Sequence, residues 1–260
     1  MKDQNDSGWN DSSKRLVLFL DIMGFKERVR RFSVEELKIQ LVDFKTKFKK
    51  LSPLLKGKEN PDMMKLAQFS DSIVVVSREY SIDDLNRLTK AAVILMQNAL
   101  EKGIALRGAI ACGDMVFDER NQIFFGQALI DAYLLEEELC CYGIVFHDTA
   151  EELVANAMQS DKYYYPIEDV ELSFKGGKSK HYHVAWHKMD KKLTENDINE
   201  DALNWLMNLR KTVSGHSRVY LDNTIEIINN EENHVGLRHT SGGDKDGSVG
   251  EGAAEASRGV

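Results

Sequence analysis

The stretch Leu16-Val-Leu-Phe-Leu-Asp21-Ile-Met-Gly24-Phe25 decides the fold of this chain, because an unbroken apolar run ends there on a carboxylate and then a glycine. Five consecutive apolar residues between polar segments predict a strand that is buried on both faces. Asp21 then lies at the exit of the strand, and Gly24 permits a tight turn into a helix. Carboxylates bind hard divalent cations, and a helix start binds anions. The stretch therefore predicts a metal ion beside a phosphate.

A second carboxylate follows in the segment from Lys65 to Val76, which reads as two β segments joined at Ser70-Asp71-Ser72. This pattern predicts a hairpin with Asp71 at or beside its tip. If the hairpin lies next to the first strand, Asp21 and Asp71 converge. Two such carboxylates repel each other unless cations lie between them, so the pair predicts one or two Mg²⁺ or Mn²⁺ ions. The alternative is a strand-exit cap and an Asx turn, each of which is common.

Three blocks in this order resemble the class III nucleotidyl cyclases. The segment Phe19-Leu-Asp21-Ile-Met-Gly24-Phe25 resembles their F-x-D-I-x-G-F signature, and Phe69-Ser-Asp71-Ser falls where the family has its second metal-binding Asp, usually written G-D. The segment from Leu106 to Asp114 resembles the R-x-G-I-x-x-G strand, and Phe125-Gly126 precedes a helix. The resemblance covers roughly residues 14–188, and the order and spacing of the blocks make it more specific than any single block.

The resemblance implies an α+β fold with a ferredoxin-like core, in which helices pack on one face of a mixed sheet. It also implies a homodimer with active sites at the interface. Asp21 and Asp71, with the backbone carbonyl of Ile22, are then expected to hold two Mn²⁺ or Mg²⁺ ions, and the Gly24-Phe25 turn to bind a phosphate. The remaining candidates for substrate binding are Arg107, Lys175, Lys178, Asp131 and Tyr133.

Each of these remaining candidates also has a purely structural interpretation. Arg107 either lies near the phosphates or forms a salt bridge with a neighbouring carboxylate. Lys175 and Lys178 either face the triphosphate or belong to a soluble Gly-rich turn, which we favour. Asp131 and Tyr133 are either parts of a nucleobase pocket or a helix-surface aspartate and a core tyrosine.

Two positions depart from the purine cyclases, whose helix after the Phe-Gly pair carries N-x-x-x-R. The matching positions here are Ile130 and Leu134, which cannot orient a ribose or stabilise a transition state by hydrogen bonding. A site that has the metal-binding aspartates but lacks the Asn and Arg of the purine cyclases resembles the pyrimidine cyclases of Pycsar anti-phage systems. The resemblance implies that the enzyme converts UTP to cyclic UMP, which acts on a separate effector. The alternatives are a cytidylate cyclase using CTP, a purine cyclase, and a non-catalytic nucleotide-binding module.

Composition and charge bound the remaining possibilities. The chain has 260 residues and a formal net charge of −8, which argues against nucleic acid as a partner. Neither a signal peptide nor an apolar run long enough for a membrane span is present, which predicts a cytoplasmic protein. We predict a disordered N-terminus over 1–13, the cyclase domain over 14–190, a helical extension over 191–235 and a disordered tail over 236–260. His181, His183 and His187 are expected at the surface or a dimer edge rather than on zinc.

Overall fold

The fold is described by a computed structural model that covers residues 9–55, 63–160, 166–188 and 198–240. Its strands are β1 (Ser12–Ile22), β2 (Met64–Phe69), β3 (Ser72–Ser77), β4 (Leu106–Asp118), β5 (Ile123–Gly126), β6 (Ile144–Phe146), β7 (Ile167–Phe174) and β8 (Gly177–Val184). Its α-helices are α1 (Phe25–Arg31), α2 (Val34–Leu55), α3 (Ile82–Glu101), α4 (Gln127–Glu138), α5 (Asp148–Met158), α6 (Ile198–Arg210) and α7 (His216–Thr240). A single 3-10 turn follows β8 at Trp186–Lys188.

The strands form one mixed sheet in the order β2-β3-β1-β4-β6-β8-β7, with β5 paired to β4 outside this path. The pair β4–β6 is parallel, and the other pairs of named strands are antiparallel. Strand β1 lies between β3 and β4, so the apolar run that opened the sequence analysis is central. The predicted α+β class, with a mixed sheet packed by helices, is confirmed.

The central strand β1 is buried on both faces, as the apolar run predicts. Leu16, Leu18 and Leu20 pack in the large core cluster, whereas Phe19 packs in a second cluster on the other face. Gly108 of β4 lies against this strand, and a Cβ there would meet the Phe19 carbonyl oxygen at 2.5 Å. The glycine is therefore needed for the close approach of β4 to β1.

Helices cover both faces of the sheet, so the prediction of helices on one face only was wrong. Helix α3 packs in the large core cluster, whereas α4 packs on the opposite face against β1 and β4. The reason is the buried stripe of α4, where Ala128 and Ala132 present small side chains to the sheet. Small residues on both sides, including Ala109 and Ala111 of β4, let helix and sheet approach closely.

The C-terminal helices pack on the domain. Helix α6 contacts α3, and α7 contacts both α6 and β7. Helix α7 runs to Thr240 and therefore includes residues 236–240, which the sequence analysis assigned to the tail. The predicted tail beyond that point, and residues 1–8 of the predicted N-terminal segment, lie outside the described residues. Within the described ranges, no helix combines the length and apolar character needed to cross a membrane.

Candidate active site

Asp21 and Asp71 lie next to each other at the ends of adjacent elements. Asp21 is the penultimate residue of β1 and pairs across to Ser72 of β3 and to Arg107 of β4. The Ile22 N–H donates to the Asp71 backbone carbonyl at 3.0 Å, which holds the β2–β3 turn against the end of β1. The structure therefore brings the two predicted carboxylates together.

The two carboxylates repel each other in a partly buried place. The pKa of Asp21 is raised from 3.8 to about 6, first by burial and then by the negative charge of Asp71. Arg107 opposes this rise, and Glu137 adds to it. Ionised Asp21 therefore lacks sufficient compensating positive charge among the described residues, as expected for a carboxylate that binds a cation.

The β2–β3 turn presents Asp71 through a strained residue. Phe69 pairs with Ser72, so Ser70 and Asp71 form a two-residue loop. Ser70 has φ 54°, in the left-handed region that glycine adopts at lower cost. Serine therefore occupies a backbone conformation that glycine adopts at lower cost.

The turn after Asp21 leaves backbone donors free. Gly24 has φ 70°, and the Gly24 carbonyl accepts from the N–H groups of Glu27 and Arg28. The N–H groups of Gly24 and Phe25 make no hydrogen bond within the described part of the chain. The Phe25 side chain packs partly into the core, and Ile22 is 2% exposed.

Arg107 forms the salt bridge that was one of its two predicted alternatives. Its Nε donates to Glu136 of α4, and its Nη1 donates to the Leu139 carbonyl at 3.0 Å. The Tyr220 hydroxyl of α7 lies 3.5 Å from Nη1, and the tyrosine ring lies under the guanidinium at 5.6 Å. A direct contact of Arg107 with substrate remains a prediction.

Glu136 is a site residue to which sequence reasoning gave no role. Its side chain is 2% exposed, and burial raises its pKa to about 7 although the hydrogen bond and charge of Arg107 lower it. The sequence held a usable signal, since Glu136 continues the buried stripe of Ala128 and Ala132 at a spacing of four residues. A glutamate on a buried helix stripe requires a cationic partner, and Arg107 is that partner.

The other predicted site residues are placed less centrally. Lys175 lies 3.7 Å from Glu138, and Lys178 lies 2.9 Å from Glu226, so both lysines of the β7–β8 turn are in exposed ion pairs. No hydrogen bond or ion pair joins either lysine to Asp21 or Asp71 within the described ranges. Both remain predictions as triphosphate ligands.

Tyr133 and Asp131 lie on α4, which packs on the sheet face of Asp21. The Tyr133 ring contacts the edge of Phe19, with ring centroids 5.5 Å apart, and its pKa is raised chiefly by a hydrogen bond with Glu137. Asp131 accepts a hydrogen bond from Gln127 at 2.6 Å. Tyr133 is thus near Asp21, whereas Asp131 is engaged on its own helix.

Four exposed apolar side chains lie on α4, beside Asp71 and on β5. Ile130 and Leu134 are 51% and 53% exposed, and Phe69 beside Asp71 is 86% exposed. Phe125 of β5, which packs beside α4, is 59% exposed. We call these four residues the α4 surface.

The oxygen atoms of Asp21 and Asp71 are the candidate ligands for a metal ion. Asp21 and Asp71 are hard oxygen donors that suit Mg²⁺ or Mn²⁺, and their mutual repulsion fits a cation between them. No group of three or more His, Cys, Asp or Glu side chains suited to a metal occurs among the residues that the structure describes. The predicted site therefore depends on two carboxylates and backbone oxygen. His183 and His187 are buried, so their predicted surface position was wrong.

Comparison with known proteins gives a limited result. No protein-family model matches the sequence, and no curated protein matches it. The chain is similar to the catalytic core of a rhodopsin-guanylyl cyclase with converted specificity in complex with ATPαS, with a TM-score of 0.48 and 16% identity over 67% of this chain and 98% of that chain. It is also similar to a class III adenylyl cyclase-like ATP-binding protein from Pseudomonas aeruginosa, with a TM-score of 0.37 and 13% identity. This second match covers 55% of this chain and 35% of that protein.

The class that fold and site define is an α+β domain with a mixed sheet, in which two aspartates meet at the end of the central strand.

Proposed function

We propose that this protein is a class III nucleotidyl cyclase that converts UTP to 3′,5′-cyclic UMP and pyrophosphate. The observation that carries the proposal is the pairing of Asp21 with Asp71, in which burial and Asp71 raise the Asp21 pKa to about 6. A cap and an Asx turn would each be stable alone, and neither requires two carboxylates to repel each other. A divalent cation removes that repulsion, so the pair fits a metal-binding role.

In the proposed mechanism, the residues of this chain bind and orient the substrate. Asp21, Asp71 and the Ile22 carbonyl would hold one or two Mn²⁺ or Mg²⁺ ions. Such ions lower the pKa of a bound hydroxyl and neutralise phosphate charge. The free N–H groups of Gly24 and Phe25 would donate to phosphate oxygens of the triphosphate.

The reaction itself exchanges one bond to phosphorus for another. The ribose 3′-oxygen forms a bond to the α-phosphorus as its proton is released. The bond from that phosphorus to the bridging oxygen breaks, and pyrophosphate leaves. Catalysis then consists mainly of positioning and charge neutralisation. The Arg107–Glu136 ion pair would hold the end of β4 beside Asp21, because Arg107 is the cross-strand partner of Asp21.

The α4 surface supports a homodimer and a pyrimidine substrate. Ile130 and Leu134 take the positions of the purine-site Asn and Arg, and both are exposed without a hydrogen-bonding group. A second copy of the chain would cover these side chains and place its own residues over Asp21 and Asp71. The choice of UTP over CTP, a cytoplasmic location, and a role of cyclic UMP in anti-phage defence through a separate effector rest on the resemblance alone.

The test is turnover of each of the four ribonucleoside triphosphates with Mn²⁺, followed by pyrophosphate release and product mass. We expect UTP to give a cyclic monophosphate, and Asp21→Ala or Asp71→Ala to abolish it. Asp169→Asn, which changes an exposed strand residue, is the matched control and should keep full activity. An active Asp71→Ala variant would contradict the proposal. Conversion of ATP or GTP would replace the pyrimidine assignment by a purine one, and nucleotide binding without pyrophosphate release would indicate a non-catalytic module.

A further inference from the structure

A cavity of about 560 Å³ lies between helix α1 and the C-terminal helices. We call it the α1–α6 cavity, and its walls include Met23, Arg28, Arg31, Phe32, Tyr142 and Trp205. Its volume lies within the range of about 300–1,000 Å³ that is usual for small-molecule sites. Trp205 packs on the cluster that contains Leu20 and Ile22, on the sheet face opposite Asp21. The cavity therefore lies mainly on the face opposite Asp21, and it shares one lining residue, Gly24, with the candidate active site.

Arg28 brings to this cavity a positive charge that no carboxylate neutralises within the described part of the chain. Its guanidinium donates to the Gly103 carbonyl at 3.3 Å and to Gln40 Oε1 at 2.8 Å, and both acceptors are uncharged. Burial lowers its pKa, and no charged neighbour contributes to the shift. A guanidinium carries five N–H donors, so donors remain for a ligand. Arg31, one turn further along α1, adds a second guanidinium.

The acidic side chains of the cavity do not cancel this charge. Glu27 bonds to Arg30 at 2.8 Å, and Lys102 is paired with Asp43. These two pairs leave Glu101 as the lining carboxylate without a partner among the described residues. Two guanidinium groups thus face one free carboxylate, and the cavity has an excess of positive charge.

The other walls of the cavity are aromatic. The Phe32 ring lies 5.1 Å from the Arg28 guanidinium. Trp205 of α6 is half-buried, and Tyr142 is held in place because its hydroxyl donates to the Ser217 carbonyl at 2.9 Å. Aromatic faces stack on planar rings, and guanidinium groups bind phosphate or carboxylate oxygens. The cavity thus combines two features that recognise different parts of one ligand.

We propose that the α1–α6 cavity is a binding site for a small anionic ligand that carries a planar ring. This chemistry is shared by nucleoside monophosphates and aromatic carboxylates. The anionic group would bind Arg28 and Arg31, and the ring would lie against Trp205. The proposal does not depend on the cyclase proposal, because Arg28, Arg31 and Trp205 have no role in the candidate active site.

The test is isothermal titration of the full chain in EDTA with four probes. The anionic probes are uridine 5′-monophosphate and salicylate, and the uncharged counterparts are uridine and salicylamide. We expect at least one anionic probe to bind with a Kd of about 0.1–1 mM, and its uncharged counterpart to bind about tenfold more weakly. Binding of only one anionic probe identifies which source of this chemistry the cavity accepts.

Matched variants of one helix locate the binding. Arg31→Met and Arg28→Met should each weaken binding of the anionic probe about tenfold. Lys26→Met, which removes an exposed positive charge of α1 outside the lining, should not. Trp205→Phe should remove the tryptophan fluorescence change that accompanies binding, and Asp71→Asn should leave binding unchanged. Arg31 is exposed, so its variant remains informative if Arg28→Met fails to fold.

The proposal is overturned if neither anionic probe binds, if the uncharged probes bind equally well, or if Lys26→Met weakens binding as much as Arg31→Met. Since all of these measurements are made without metal or triphosphate, their failure leaves the turnover test of the cyclase proposal untouched.

Discussion

Replacement of Asp71 by Asn should stabilise the metal-free protein while it removes the proposed activity. The pKa of Asp21 is about 6 instead of 3.8. At about 1.4 kcal/mol per pKa unit, ionised Asp21 costs about 3 kcal/mol, which solvent at this partly exposed group reduces to about 2 kcal/mol. Burial is the larger cause and the Asp71 charge the second. We therefore expect Asp71→Asn to raise the free energy of unfolding of the metal-free protein by about 1 kcal/mol at neutral pH.

The sign of the pH dependence follows from the raised pKa. Folded protein binds the Asp21 proton more tightly than the unfolded chain, so this contribution to stability is complete below about pH 3.8 and is lost as the pH rises through about 6. The Asp71→Asn variant should lose less stability over this pH range. For a protein of this size, 1 kcal/mol shifts the Tm by about 2–4 °C.

Thermal unfolding between pH 4 and 8, in EDTA and in Mn²⁺, measures both effects. In Mn²⁺ at about 100 times its Kd, the wild-type protein should gain about 2.7 kcal/mol, and Asp71→Asn should gain much less. Asp169→Asn should behave as wild type in both solutions. The reasoning is refuted if Mn²⁺ raises the Tm of Asp71→Asn as much as that of wild type, or if the variant is less stable than wild type in EDTA at neutral pH.

Three further perturbations test other parts of the site. Glu136→Ala leaves the Arg107 charge buried without its partner and should lower the free energy of unfolding, measured in urea, by about 3 kcal/mol. Glu136→Gln should lower it less. If both variants lose equally little stability, the ion pair contributes little. Ile130→Glu places a charge on the α4 surface and should shift the protein from dimer to monomer in sedimentation velocity, with loss of turnover; an unchanged dimer would place the interface elsewhere. Ser70→Gly relieves the left-handed residue and should raise the free energy of unfolding by about 0.5 kcal/mol in thermal unfolding; a lower Tm would show that the Ser70 backbone is not strained.

The parts of the fold that local pattern controls could be predicted from the sequence. The apolar run of β1 has no polar residue between Leu16 and Leu20, so only a strand buried on both faces accommodates it. The sequence predicted the hairpin and the strand end, and it predicted that Asp21 and Asp71 converge if the hairpin lies beside the first strand. The structure pairs β3 with β1, which brings the two residues together. Their use as metal ligands stays a prediction.

The parts that depend on tertiary contacts could not be predicted. The spacing places Glu136 on one stripe with Ala128 and Ala132, but its partner Arg107 is identified only when the position of α4 on the sheet is known. Likewise, His183 and His187 read as surface residues, because the burial of β8 and the following turn depends on which elements cover them. The position of α4 on the second face of the sheet was not predicted for the same reason. Small residues along one side of a helix show that it packs closely, but they do not identify the sheet face that it packs on.

The contact of Tyr220 with Arg107 changes where the folding unit that contains the candidate site ends. The resemblance to nucleotidyl cyclases stops near residue 188, but α7 lies beyond it. The Tyr220 ring of α7 lies beneath the Arg107 guanidinium, and the Thr224 hydroxyl of α7 accepts a hydrogen bond from the Tyr142 N–H. A chain shortened to the matched region would open one side of the Arg107–Glu136 pair to water. The smallest fragment worth producing for enzymology therefore runs through α7, and the limit of sequence resemblance is not the limit of the folding unit.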